Sequence, residues 1–202
     1  MLFRSRIVPE TKAPGREKGF SLEGSEHAFL SSLDIGSWMD SSYASERMPL
    51  LDDVLEELGR DIYFDIEIKC RSIGDTGLES LLADTLRRHE MQGRCIVSSF
   101  NPLSLRRCAK YLPEFPRAII WSRSEELCWY LRRGEGRWIG AADIVKPECT
   151  LLTRRRIFHS LRRPLLPWTV DRPEDEARVL AAGAVGIISN SPQVLAGWRG
   201  QG

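Results

Sequence analysis

From about residue 60 onward, short apolar runs alternate with segments of helical period. Residues 62–68, 95–99, 118–121, 143–146, 165–170 and 185–189 have the length and composition of strands. Between them Leu78, Leu81, Leu82 and Leu86 recur at helical spacing, as do Leu105, Cys108, Ala109 and Leu112, and later Ile157, Phe158 and Leu161. Each set predicts a helix with one buried stripe. Pro173 and the acidic run Glu174, Asp175 and Glu176 open a further helix, and Gly183 closes it. Repeated strand-helix alternation predicts a parallel sheet, either open and doubly wound or closed into a barrel. Periodicity alone does not choose between the two.

Residues 1–47 follow no sustained period, being polar and carrying Gly15, Gly19, Gly24, Gly36 and many serines. They read as an irregular N-terminal segment of the same domain, with a short helix around residues 26–33, and residues 48–202 read as the regular domain. Pro49 opens a helix that places Leu51, Val54, Leu55 and Leu58 inward and Asp52, Asp53, Glu56 and Glu57 outward.

Composition narrows the class. At 202 residues, 42% hydrophobic and 28% charged, the chain is sized for one globular domain with a full core. Lys plus Arg at 29 against Asp plus Glu at 28 leaves a net charge of +1, which argues against nucleic acid as a partner. No apolar stretch is long enough to span a membrane, and the charged first twenty residues contain no secretory core. The expectation is a soluble chain, cytoplasmic if Met1 is its true start. Cys70, Cys95, Cys108, Cys128 and Cys149 are odd in number and widely spaced, which favours reduced thiols over zinc ligands or disulfides.

The most informative stretch is residues 63–69. Alternation puts Phe64, Ile66 and Ile68 on one face of a strand and Asp65, Glu67 and Lys69 on the other. In a parallel sheet covered on both faces, unpaired charges cost several kcal/mol (roughly) unless a metal or counter-charge compensates them. The bland alternative is an edge strand whose Glu67 and Lys69 face water.

Several further segments lie in order around this strand: residues 33–38 (Leu-Asp-Ile-Gly-Ser-Trp), the helix opening at residues 48–55, Asp65-Ile66-Glu67-Ile68-Lys69, Val97-Ser98-Ser99-Phe100, the 143–147 strand, Trp168-Thr169-Val170-Asp171, and residues 183–192. Together they resemble the glycerophosphodiester phosphodiesterase family over about residues 30–192. The resemblance implies a TIM-type (β/α) barrel whose site at the C-terminal strand ends hydrolyses a small-molecule glycerophosphodiester to an alcohol and glycerol 3-phosphate with Ca²⁺ or Mg²⁺. Carried over by position, Glu67 matches a metal ligand, Lys69 a phosphate contact and Trp168 an aromatic beside the substrate.

The chain also departs from the pattern. The family's His-Arg-Gly strand, Glu-x-Asp strand and His-Asp pair are absent. A full barrel takes about 250 residues, so the resemblance implies an N-terminally incomplete barrel of about six of its eight strands. No catalytic residue is identified, because neither family histidine is present, and weak or no hydrolysis is expected of this polypeptide alone. His89 and His159 read as surface residues of helices, and His27 lies in the irregular segment. Arg154, Arg155, Arg156, Arg162 and Arg163 read as a solvated helix face, and Trp121, Trp129 and Trp138 as core or interface. Asn190-Ser191-Pro192 stands where the family ends on an acidic group, so no site is assigned there. A second reading is a non-catalytic remnant or interaction module whose unpaired edges, at residues 62–68 and 185–189, drive self-association. A third is another barrel phosphodiesterase of the phospholipase-like kind, which fold alone does not separate.

Overall fold

The computed structural model describes residues 25–59, 61–123, 134–152 and 162–195. The fold divides into two compact units, with the boundary between Leu58 and Gly59.

The first unit holds α1 (His27–Leu30), a 3₁₀ turn at Ser41–Tyr43 and α2 (Leu51–Leu58). Short polar side chains build its turns. Asp34 Oδ1 accepts from the amides of Gly36 and Ser37, both at 2.9 Å, and Asp40 Oδ1 accepts from the Ser42 amide at 2.8 Å. Gly36 is required here, since a Cβ at this position would meet the Tyr43 carbonyl oxygen at 2.1 Å. Leu33 and Ile35 are buried together, with Phe29, Leu30 and Met48 packed against them, so the polar segment carries a small core of its own. Asp53 Oδ2 accepts from the Leu50 amide at 3.0 Å and secures the start of α2. Leu55 is buried and Leu51 and Val54 are half-buried, as their spacing predicts, whereas Leu58 in the last turn is exposed.

The second unit is built on β1 (Phe64–Glu67), β2 (Cys95–Ser99), β3 (Arg117–Trp121) and β4 (Ile144–Pro147), all parallel and adjacent in chain order. The helices α3 (Leu78–Arg88), α4 (Pro102–Tyr111) and α5 (Gly136–Ile139) connect them, and α6 (Pro173–Ala181) follows. Neighbours in strictly sequential order are the winding of a barrel; a doubly wound sheet reverses direction at a switch point. The order continues beyond β4. Val145 bridges Leu165 and Glu148 bridges Trp168, both in parallel sense. The Val185 and Ile188 amides then donate to the carbonyls of Leu165 and Pro167, at 3.0 and 2.9 Å.

Residues 165–170 and 185–189 are therefore the fifth and sixth members of the winding, but extended segments rather than the full strands that the apolar runs predict. Pro164 and Pro167 lack the amide protons a continuous ladder needs. At Gly186, a Cβ would lie 2.5 Å from Leu166 Cδ2, so the two segments approach closely there. α6 begins at Pro173 and is closed by Gly183 at φ 90°, the left-handed conformation that favours glycine. The helix predicted around residues 157–161 lies outside the described residues, as do His159, Arg154, Arg155, Arg156 and Trp129.

Strand alternation sorts the side chains. Ile119, Trp121 and Val145 point outward into a core shared with Leu105, Leu165, Val170 and Val179. Burying each large apolar side chain contributes about 1.5–3 kcal/mol. The opposite face carries Asp65, Glu67, Ser98 and Lys146. In α3 the buried stripe is Glu79, Leu82, Ala83 and Leu86, while Leu78 and Leu81 face outward, Leu81 at 64% exposure. The four-leucine stripe read from spacing is thus replaced by one in which a carboxylate takes an inner position. The cause lies on α4: Ser104 Oγ donates to Glu79 Oε1 at 2.5 Å and Arg107 donates to the same oxygen at 2.9 Å. Trp121 is core as expected, but Trp138 is 62% exposed, its indole approached by the guanidinium groups of Arg137 and Arg163 at 4.8 and 5.0 Å.

Candidate active site at the C-terminal strand ends

The inner face is polar where three strands contribute to one network. Lys146, on β4, is only 2% exposed, and its ammonium pairs with Asp65 Oδ2 on β1. The same ammonium donates to Ser98 Oγ on β2 at 3.0 Å, and Ser98 Oγ donates to Asp65 Oδ1 at 2.8 Å. On β3, which lies between β2 and β4, Ala118 is in register with Ser98 and Ile120 with Lys146. A buried ammonium is stable only when paired and hydrogen-bonded, and both conditions are met.

One inward position further along β1 lies Glu67, its side chain 11% exposed. Lys69 Nζ sits 3.8 Å from Glu67 Oε1 and is more open to solvent. The expectation that charges on this strand need a counter-charge is met twice, by Lys146 at Asp65 and by Lys69 at Glu67. β1 is terminal in the described sheet and Lys69 is exposed, as the edge-strand alternative has it, but Glu67 is largely sheltered, so that alternative describes Lys69 and not Glu67.

Trp168 lies within the fifth segment. Its indole Nε1 donates to the Lys146 carbonyl at 2.9 Å, and its ring meets Phe100 edge to face, with centroids 5.7 Å apart. Phe100 follows the last residue of β2, so the aromatic pair stands at the C-terminal ends of the strands. Asp171, three residues on, accepts from Ser189 Oγ, the Asn190 amide and Asn190 Nδ2 at 3.0, 2.7 and 2.9 Å. Burial works against its ionisation, but these hydrogen bonds more than offset it and hold the carboxyl below the usual carboxylate range. The Asn190-Ser191 stretch thus closes a turn around a carboxylate supplied by the neighbouring segment.

Of the residues singled out in the sequence, Glu67 and Lys69 meet directly, and Trp168 joins the same end of the sheet through Lys146. His89 caps the C-terminus of α3, which runs back toward the N-terminal ends of the strands, the end opposite Glu67. His27 is exposed on α1 in the first unit. Lys146, Ser98 and Asp65 complete the inner network without having been assigned a site role from sequence. A lysine inside the apolar run Ile144-Val145-Lys146-Pro147 carries the same signal as the charges on β1, since alternation turns it to the same face. Among the described residues no group of three or more His, Cys, Asp or Glu side chains converges as a metal cluster.

Residues 19–194 match the sequence profile of the glycerophosphoryl diester phosphodiesterase family. The chain belongs to this family. A glycerophosphodiester phosphodiesterase from Caldanaerobacter subterraneus is 31% identical over 188 residues, which is 92% of this chain and 73% of the relative. One from Bacillus subtilis is 26% identical over 189 residues, 83% of this chain and 62% of the relative. Among solved structures, an Oleispira antarctica phosphodiesterase in complex with the product sn-glycerol-3-phosphate superposes with a TM-score of 0.73 at 19% identity, covering 96% of this chain and 76% of that one. An Agrobacterium tumefaciens glycerophosphodiester phosphodiesterase superposes with a TM-score of 0.63 at 19% identity, covering 92% and 77%. The fold class is accordingly the TIM-type (β/α) barrel that the sequential strand order indicates. Family membership makes glycerophosphodiester hydrolysis the activity class of this chain. No helix among the described residues is long and apolar enough to cross a membrane.

Proposed function

We propose that the chain acts on small-molecule glycerophosphodiesters at the C-terminal ends of β1, β2 and β4, cleaving them to an alcohol and glycerol 3-phosphate in a metal-dependent reaction. Glu67 is the metal ligand, Lys69 the phosphate contact and Trp168 the aromatic wall beside the substrate. The observation that carries this reading is the pair of Glu67, inward on β1, and Lys69, in the loop that follows it, 3.8 Å apart, a carboxylate and an ammonium side by side where barrel enzymes place their chemistry. The glycerol 3-phosphate in the Oleispira antarctica relative supports the substrate class.

The donor set fits a hard divalent ion held lightly. Asp65 is committed to Lys146 and Ser98, so of the two β1 carboxylates Glu67 is the one that remains for Ca²⁺ or Mg²⁺. One carboxylate with substrate phosphate and water completing the shell is a common arrangement for Mg²⁺. When bound, such an ion supplies Lewis-acid polarisation of the phosphoryl oxygens. The rest is the work of the chain itself. Lys69 faces the phosphodiester with an ammonium whose attraction strengthens as negative charge grows on the non-bridging oxygens. Trp168 and Phe100 give the glycerol an apolar wall that keeps bulk water away. His89 stands at the wrong end of the strands for proton transfer, and the sequence carries neither of the family's histidine motifs, so weak turnover beside the binding of phosphate ligands is expected.

Calorimetric titration with glycerol 3-phosphate, paired with turnover of glycerophosphocholine with and without a chelator, tests this. Lys69→Met should weaken binding about tenfold or more, the loss of one charge-assisted contact. Glu67→Gln should abolish the dependence of binding and of any turnover on the divalent ion. Unchanged affinity in Lys69→Met, together with chelator-insensitive binding, would overturn the proposal.

A second reading, self-association through the terminal members of the sheet, is favoured by the exposed Ile62 and Tyr63 beside β1 and the exposed Val185 at the other end of the described order. Light scattering of the full chain should then give a mass above that of a monomer, reduced in Tyr63→Lys; a monodisperse monomer sinks it.

A further inference from the structure

The loop that leaves β1 begins with Lys69, and its backbone is gripped at nearly every step by side chains from the end of β2 and from α4. Ser99 Oγ donates to the Ile68 carbonyl at 2.7 Å. Asn101 Nδ2 donates to the carbonyls of Cys70 and Ser72, both at 3.0 Å. One helical face further along, Arg107 donates to the Ile73 carbonyl at 3.0 Å while paired with the buried Glu79, and Tyr111 donates to Asp75 Oδ2 at 2.7 Å. Lys69 thus sits between two carbonyls, those of Ile68 and Cys70, each held by a side chain from the next strand-helix unit.

We propose that Asn101 is a positioning residue for Lys69, fixing the backbone from which the phosphate-contacting ammonium extends; the inference rests on the role given above to Lys69. The hydrogen-bonding capacity of Asn101 is divided between two tasks. Its Oδ1 accepts from the Leu103 amide at 3.0 Å and caps α4, and both protons of its Nδ2 go to the loop. An ammonium on a four-carbon stem loses affinity when its anchor wanders, because ordering the anchor must then be done by the ligand. Holding the loop beforehand removes that cost.

The two tasks separate by substitution. Asn101→Ser keeps an oxygen suited to capping α4 but has no amide to reach the loop, whereas Asn101→Ala loses both. In the full chain, Asn101→Ser should melt close to the wild type while backbone ¹⁵N order parameters over residues 69–74 fall from about 0.85 toward 0.6 or below. The dissociation constant for inorganic phosphate should rise about three- to tenfold, approaching that of Lys69→Met, and Lys69→Met/Asn101→Ser should add little to Lys69→Met alone. Order parameters unchanged in Asn101→Ser would overturn the proposal. So would a loosened loop with unchanged phosphate affinity where Lys69→Met weakens it, since Asn101 would then serve only the fold. If Lys69→Met itself leaves phosphate affinity intact, the reading of the site fails instead. Side-chain NMR of Lys69 then decides the positional claim, which stands only if Asn101→Ser broadens the set of Lys69 conformers.

Discussion

Asp65 and Lys146 form a pair whose two members are unequally buried, and that inequality decides what removing either one does. The Lys146 side chain is 3% exposed and that of Asp65 24%. Asp65→Asn strands a nearly dry ammonium and should cost about 3–5 kcal/mol, whereas Lys146→Met leaves a carboxylate that water partly reaches and Ser98 still serves, and should cost less. The double substitution should recover most of the loss, because a neutral side chain of similar volume needs no partner; urea unfolding of the three variants measures this. If the double variant is no more stable than Asp65→Asn, the ion pair is not what sets the cost. Asp34 is a different kind of residue, half-buried and held by local turns. Hydrogen bonds from the side chain and amide of Ser37 and from the Gly36 amide lower its carboxyl from 3.8 to about 2. A depressed folded value means that its contribution is present above pH 3.8 and is lost as the pH falls toward 2. Asp34→Asn should therefore flatten that part of the acid limb in a plot of Tm against pH.

At the scale of elements, local pattern reports where a helix lies more reliably than which way it faces. Spacing locates α3, but four leucines fit a helical stripe as well as the observed set does. The choice is made by Ser104 and Arg107 on α4, which draw Glu79 inward and turn Leu81 out. Leu86→Ala should accordingly cost about 2–5 kcal/mol and Leu81→Lys almost nothing, although spacing alone ranks the two positions alike. Equal losses on thermal unfolding would show that α3 faces as its leucines suggest. α6 was fully legible because its signals are local: Pro173 at the start, three acids in the first turn and a glycine in left-handed conformation past the end. The fifth and sixth segments were legible as extended but not as interrupted, since a proline's missing donor matters only once a neighbouring strand asks for it.

The whole molecule buries its described thiols, Cys70, Cys95, Cys108 and Cys149. Burial pushes the thiols of Cys95 and Cys108 from 9.0 up to about 12. A folded value raised above the unfolded one means that stability is full below pH 9 and declines as the pH rises from 9 toward 12, since only the unfolded chain ionises there. Melting of Cys95→Ala beside the wild type across that range should show a shallower alkaline decline in the variant. On the same scale lies the division between what the chain announces and what its folding decides. The sequence by itself determined the strand-helix alternation, the inward turn of Glu67, and the family, because each is written in neighbouring residues or in motifs that follow in order. Only the tertiary structure decided that Lys146 belongs to Asp65, 81 residues away, with Ser98 between them. Alternation gives the side of a sheet on which a charge lies, but its partner there is fixed by strand register, which is not a property of any one segment.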